Sequence, residues 1–320
     1  MLYSFVKIIA RLALPIYCRD LAINRKELLK QEGPLLLAVN HPNSFLDAII
    51  LCTLFDGTVY SLARGDAFKN KLFAKFLFLF KMFPVYRVSE GVENMEENYK
   101  TFDLCKNIFK QNGIVLIFSE GRCINEWHLR PLKKGTARLA ISSWEDGIDL
   151  KVLPIAINYS SFKKFGKNIK MFFGEPITKN DIDYKDSHGN AIRQFNEILR
   201  PRLSNHVFEI DSNDKAALHQ AFYVAQSPAK KILLFFPAVI GSIVHTPLYF
   251  LTKWLADALI KEDGHDDSKL IGFLFILYPV FLLVTSLCIF YFTGSWFSFV
   301  SLLLLPFTAW ASVQLKKQLD

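Results

Sequence analysis

Short apolar runs, punctuated by glycine, proline, asparagine and aspartate, recur through the first two thirds of the chain. Positions 34–39, 58–63, 113–118, 151–157 and 169–173 read as strands. Between them, helical patterns predict helices near 44–54, 67–81, 92–112, 136–146 and 189–203. Alternation of this kind predicts the α/β class, a mixed sheet flanked by helices on its faces.

The flanks read differently. Residues 1–28 are apolar with Lys7 and Arg11 embedded, too charged for a good span and without a small-residue cleavage site. They predict an amphipathic membrane-surface helix rather than a cleaved signal peptide. The stretch 67–83 carries Lys69, Lys71, Lys75 and Lys81 among phenylalanines and leucines, a pattern that lets a helix dip into a leaflet while its lysines reach back to the headgroups. After the α/β region, 29–208, a polar connector covers 209–231 and a membrane region covers 232–320. Residues 270–292 hold no charged side chain and are long enough to cross a bilayer. Residues 296–313 form a second span, and Gly294-Ser295 turns between the two, giving a C-terminal transmembrane helical hairpin. Lys269 and Lys316-Lys317 flank it on one side, which the positive-inside rule places in the cytoplasm. Just ahead of it, His265-Asp266-Asp267 reads as a solvated loop. Residues 232–252 are also uncharged but contain Pro237, Pro247 and His245. A third crossing would put either the basic α/β region or the Lys316-Lys317 tail outside, so this segment reads as re-entrant or interfacial.

The chemistry concentrates at two strand ends. The run 34–39 is followed by His41-Pro42-Asn43-Ser44-Phe45-Leu46-Asp47. A neutral imidazole can take a proton from an alcohol near pH 7, and a carboxylate beside it fixes its tautomer and stabilises the imidazolium. On a continuous helix, positions six apart would not share a face. Pro42 disfavours helical geometry at His41, so His41 is expected on a turn, with Asn43 or Ser44 capping a helix and Asp47 in its first turns. The run 113–118 closes on Ser119-Glu120-Gly121-Arg122. Arg122 can grip a phosphate with paired hydrogen bonds, Glu120 can accept from a hydroxyl, and Gly121 lets backbone approach a ligand. Lys133, at the start of the helix near 136–146, can add to an anion site. A base and an anion cluster at two strand ends point to a transfer reaction on an anionic substrate.

Taken together, these residues resemble the glycerolipid acyltransferases, which acylate glycerol-3-phosphate or lysophosphatidic acid. The resemblance covers about residues 20–205 and rests on four blocks in order: Asn40-His41 through Asp47, Pro84-Val85-Tyr86-Arg87, Phe118 through Arg122, and Val152-Leu153-Pro154-Ile155. It implies a glycerol-3-phosphate acyltransferase-like fold over 29–208 and a catalytic pair of His41 and Asp47. It also implies an acceptor site drawn from Arg87, Glu120, Gly121, Arg122, Lys133 and Pro154. The chain departs from the common pattern in its His-x5-Asp spacing, one residue longer than usual. Lys81 stands where glycine is frequent, Ser119 stands for a proline, and Arg122 follows Gly121 directly. The resemblance implies an acyl thioester donor, acyl-CoA or acyl carrier protein, with no cofactor and no metal. With no Gly-x-Ser-x-Gly elbow present, direct transfer is expected rather than an acyl-enzyme.

Composition narrows the partners. Half the chain is hydrophobic (51%), thirty residues are phenylalanine and the net charge is +8, which suits membrane phospholipids and anionic substrates. No nucleic-acid motif accompanies the basic charge, so nucleic acid is not an expected partner. Five scattered cysteines without Cys-x2-Cys spacing read as reduced thiols, and the histidines lack zinc-ligand spacing. The expected function is a membrane O-acyltransferase of phospholipid synthesis with a cytoplasmic-face site. The alternatives are another lysolipid or a lipoamino acid as acceptor, or a non-catalytic lipid-binding membrane scaffold. The intact His/Asp/Glu/Arg set argues against a scaffold, and the spans are too few for a transporter.

Overall fold

The computed structural model describes residues 2–86, 95–184, 187–259 and 266–318. In chain order the elements are α1 (Leu2–Tyr17), β1 (Cys18–Ile23), β2 (Leu35–Val39), α2 (Phe45–Leu54), β3 (Val59–Arg64), α3 (Lys71–Leu79), β4 (Met82–Val85), α4 (Met95–Lys110), β5 (Ile114–Phe118), α5 (Gly135–Glu145), β6 (Lys151–Tyr159), β7 (Lys167–Phe173), α6 (His188–Ser204), α7 (Lys215–Phe222), α8 (Pro228–Leu259), α9 (Asp266–Thr293) and α10 (Ser301–Leu315). The seven strands form one mixed sheet in the order β1-β7-β6-β2-β5-β3-β4. Every neighbouring pair is parallel except β6 with β7.

β2 is buried along its whole length because helices cover both faces of the sheet. Leu35, Leu37 and Val39 pack with α2 on one face, through Leu46, Ile50 and Leu51. Leu36 and Ala38 pack with α5 and α6 on the other, through Ala137, Ile141 and Phe195. Each buried leucine contributes about 1.5–3 kcal/mol, which fixes the middle of the sheet most firmly, where the site is built.

All five predicted strands are present, and two were missed. β1 lies within the segment 1–28, which the pattern assigned wholly to a helix; the helix ends at Tyr17. The signal was masked because β1 carries Arg19 and Asp20. Arg19 finds partners far along the chain: its guanidinium donates from Nε to the Gln314 carbonyl at 3.2 Å and from Nη2 to the Lys316 carbonyl. β4 is only four residues long and contains Pro84, which is tolerated because β4 is the edge of the sheet. The connector 209–231 also holds a helix, α7, capped by Asp214 accepting from the Ala217 amide at 2.9 Å.

α1 is polarised in an unusual sense. Its two cations turn toward the sheet domain. Lys7 Nζ donates to the carbonyls of Asp56 (3.0 Å) and Gly57 (2.7 Å). Arg11 donates to the carbonyls of Thr53 (2.7 Å), Leu54 (3.2 Å) and Phe55 (3.0 Å) and pairs with Asp56 at 3.0 Å. These carbonyls lie at and just beyond the end of α2, which intrahelical bonds leave unsatisfied and the helix dipole makes negative. The apolar residues Leu2, Phe5, Ile8 and Leu12, spaced by three and four, are exposed. α3 likewise exposes Leu72, Phe73, Phe76 and Phe78 among its lysines and buries Leu77.

Among the described residues, three helices are long and apolar enough to cross a membrane: Pro228–Leu259, Asp267–Thr293 and Trp296–Leu315. The last two form the expected hairpin. The first replaces the re-entrant form considered for 232–252, because α8 is unbroken across Pro237 and Pro247. α8 crosses α10 at close range. A Cβ on Gly241 would sit 2.0 Å from the Thr308 carbonyl oxygen, so only glycine permits the approach. Lys230 and Tyr249 are about 28 Å apart along the axis of α8, yet both reach the end of α10. Lys230 Nζ donates to Gln314 Oε1 at 2.7 Å, and Lys316 Nζ lies 5.8 Å from the Tyr249 ring. α8 packs on α10 over this stretch, with Gly241 at Thr308, Ser242 at Ser312 and His245 reaching Tyr278 of α9, near the junction with the sheet domain. Gln318 continues the junction, accepting from Asn168 Nδ2 at 2.8 Å and from the Val224 amide at 2.9 Å.

Candidate active site

β2 and β5 run parallel and in register from Leu35↔Ile114 to Val39↔Phe118, so both release their loops on the same edge of the sheet. The chain leaves β2 over one face through α2 and leaves β5 over the other through α5. Divergence of this kind opens a crevice at the carboxyl ends of parallel strands. His41 follows β2 and Glu120 follows β5 at this edge.

His41 and Asp47 meet. Nδ1 of His41 lies 2.9 Å from Asp47 Oδ2. Asp47 is wholly buried, whereas the His41 side chain keeps 17% exposure, and its Nε2 remains for a reacting group. The long spacing is closed by the backbone. Ser44 adopts φ +54° ahead of α2, and this left-handed turn sets Asp47 on the first turn of the helix, facing back to the loop. Ser44 is the N-cap, but its side chain makes no capping bond. Asp47 holds the loop as well as the imidazole: Oδ2 also accepts from the Asn43 amide at 2.8 Å, and Oδ1 accepts from the Tyr159 hydroxyl at 2.6 Å. Burial and the neighbouring Asp47 carboxylate push the Tyr159 phenol well up from its ordinary range, so it stays a donor. The His41 ring stacks on Phe118 with centroids 3.7 Å apart.

Glu120 does not present a free carboxylate to the crevice. Oε2 accepts from the His41 amide at 2.9 Å and Oε1 from the Arg130 amide at 3.0 Å. Burial pushes its carboxyl up from the usual range, and these two amides pull it partly back. Gly121 has φ +64°, and a Cβ there would meet Lys133 Cγ at 2.9 Å. The space that glycine leaves is thus occupied by the Lys133 stem, and Lys133 and Arg122 are both exposed beside it. Ser119, where the family pattern has proline, donates its amide to the Val39 carbonyl at 2.8 Å. A proline has no N–H to make that bond. Pro154 lies inside β6 rather than after a strand, paired with Ala38 and buried. It shapes the sheet beneath the crevice and does not face it. Arg87 lies outside the described residues.

Several residues around the site gave no signal of their own. Asn40 locks the end of β2 to β6, accepting from the Ile157 amide at 2.8 Å and donating to its carbonyl at 3.1 Å. Asn125 Nδ2 donates to the Pro42 carbonyl at 2.7 Å. The Ser44 amide points at Cys123 Sγ, 2.9 Å away. Tyr159 belongs to a third strand and is joined to Asp47 across 112 positions. Partnerships of this kind have no sequence period, and only the end of an apolar strand could have singled Tyr159 out.

Residues 20–158 match the family model described as Acyltransferase. That match covers less than half of the chain and supports the likeness to the glycerolipid acyltransferases. Glycerol-3-phosphate O-acyltransferase 2 of Saccharomyces cerevisiae (strain ATCC 204508 / S288c) is 26% identical over 161 residues, which is 48% of this chain. The match spans only 21% of that relative's length. Among solved structures, the 1-acyl-sn-glycerophosphate (LPA) acyltransferase PlsC from Thermotoga maritima is similar, with 15% identity and a TM-score of 0.44 over 62% of this chain and 78% of that one.

Proposed function

We propose that the chain is a membrane-bound O-acyltransferase that moves a fatty acyl group from an acyl thioester to a hydroxyl of glycerol-3-phosphate or lysophosphatidic acid. The observation that carries this reading is the His41–Asp47 pair at the carboxyl end of β2, with the imidazole's second nitrogen left for the acceptor. In the reaction, His41 Nε2 takes the hydroxyl proton as the oxygen attacks the thioester carbonyl. A C–O bond forms, the C–S bond breaks, and the departing thiolate recovers the proton from His41. Asp47 stabilises the transient imidazolium. Arg122, Lys133 and Arg87 are assigned to the acceptor phosphate, and Glu120 and Gly121 to the loop that carries them. Phe45 and Ile49, one turn apart on α2 and exposed, offer the acyl chain an apolar track beside the pair. Acyl-CoA and acyl carrier protein both fit as donors.

The junctions of the bundle support a membrane arrangement. Asp267 at the start of α9 and Lys316 at the end of α10 both touch the sheet domain, which supports a two-helix crossing with both ends on the domain's side. α8 is assigned to the interface plane, because a third crossing would put the basic domain or the Lys316-Lys317 tail outside. We assign this side to the cytoplasm, where acyl thioesters are available, and the basic flanks support that assignment.

The test is the full chain in phospholipid vesicles, offered labelled palmitoyl-CoA or palmitoyl-acyl carrier protein with a panel of acceptors. Donor-dependent labelled lysophosphatidic or phosphatidic acid is expected. No transfer to any phosphorylated glycerol acceptor would sink the reading. In the same assay, Arg122→Ala and Arg87→Ala should each raise the KM for the phosphorylated acceptor about tenfold, the effect of a lost charged hydrogen bond, with little change in the KM for the donor. Equal changes for both substrates would show that these arginines do not hold the phosphate.

A further inference from the structure

We infer that Asp267, in the first turn of α9, is a positioning residue for the His41 loop, so that the membrane bundle completes the active site rather than only anchoring it. The inference rests on the reading of His41 and Asp47 as the catalytic pair. Asp267 is buried, and its Oδ2 accepts from Asn43 Nδ2 at 2.9 Å, from the Tyr17 hydroxyl at 3.3 Å and from Lys167 Nζ in a buried ion pair. Asn43 is the link. Its side chain is fixed by Asp267, and its main-chain amide donates to Asp47 Oδ2, the oxygen that also faces His41 Nδ1. Rotation of Asn43 would therefore disturb both Asp47 and the turn at Ser44.

The surroundings make Asp267 hard to replace by solvent or by a local group. Among the described residues the loop's ties come from every side: Asn40 to β6, Pro42 to Asn125, Ser44 to Cys123, and Asn43 to a residue 224 positions away. Lys167 on β7 lies between two acids. It pairs with Asp267, and its Nζ is 5.8 Å from the ring of Tyr159, whose hydroxyl binds Asp47. Burial drives the Lys167 ammonium below its ordinary range, and the Asp267 carboxylate opposes that. A buried ion pair of this kind is usually no more stabilising than apolar residues of similar size. Stability alone does not account for it, whereas a fixed acceptor for Asn43 does.

The experiment separates position from stability in the full chain, reconstituted in vesicles and assayed with palmitoyl-CoA and the acceptor used best by the parent. The paired variant Lys167→Met with Asp267→Leu removes the ion pair but fills its volume. It should unfold within a few degrees of the parent and keep both KM values, while kcat falls roughly tenfold to a hundredfold, as misplacement of a reacting group does. The pair Lys167→Met with Asp267→Asn is also uncharged but keeps an acceptor oxygen for Asn43, and should recover most of the lost kcat. Should the leucine pair not fold, a cycle of Asn43→Ala against the pair Lys167→Met with Asp267→Ala decides the matter. Acting through Asn43, the alanine pair should add nothing to the loss caused by Asn43→Ala. Parental kcat in the leucine pair, no recovery in the asparagine pair, or additive losses in the cycle would each overturn the inference alone. His41→Ala at the parental rate would overturn both it and the proposed function.

Discussion

His41→Ala lowers acyl transfer by about 10²–10⁴-fold, the usual contribution of a general base, and leaves the protein folded and membrane-bound. The geometry separates the two effects. The imidazole sits at the mouth of the crevice, stacked on Phe118, and is not part of either buried core. Its removal still leaves Asp47 accepting from the Asn43 amide and the Tyr159 hydroxyl, so the turn at Ser44 stays closed. The main-chain amide of residue 41, which ties the loop to Glu120, is also retained. The loss should therefore appear in kcat, with the melting temperature and vesicle association of the parent. Near-parental turnover would remove the base from the mechanism and favour a lipid-binding role for the domain.

Asp47→Asn should reduce kcat about as severely, on the order of 10³–10⁴-fold where a buried carboxylate orients and stabilises an imidazolium. Asparagine can keep the shape of the site. Its carbonyl oxygen can take the place of Oδ2 before His41 and Asn43, and its amide can donate to the oxygen of the Tyr159 hydroxyl. What is lost is the negative charge beside the imidazolium formed during transfer. The KM values for donor and acceptor should change little, since neither substrate is assigned to Asp47. A variant that loses binding but keeps kcat would show that Asp47 shapes the acceptor pocket rather than serving His41.

The sequence carried the sheet and the identity of the pair much further than it carried the loop. β2 and β5 were legible because burial on both faces makes them continuously apolar, and β3, β6 and β7 because most of their residues are apolar. β1 and β4 were not, because edge position lets charge and proline enter them. His41 and Asp47 stood out by residue type and spacing, but their meeting depends on the φ of a single residue, Ser44, which no periodicity reports. Glu120 was legible as a site residue, but not as the group that holds the loop amides of His41 and Arg130. A carboxylate's partners are set by the fold. Asp267 lay in a segment read as a solvated loop, and its burial exists only because α9 returns to the domain. The charged residues of α1 were legible as embedded cations, but not as caps on α2, since the end of one helix does not announce which other helix will cover it.

Because Lys7 and Arg11 are committed to the end of α2, α1 cannot roll over to hide Leu2, Phe5, Ile8 and Leu12 without breaking those bonds. A domain held against a leaflet by such a stripe stays at one depth, and its crevice samples a two-dimensional pool of acceptor. For lysophosphatidic acid, turnover should then follow the mole fraction in the vesicle rather than the bulk concentration. Dilution with inert phospholipid at constant total acceptor should slow the reaction in proportion, while the response to water-soluble glycerol-3-phosphate should be unaffected. A rate for lysophosphatidic acid that ignores surface dilution would mean that the acceptor leaves the leaflet before it is acylated.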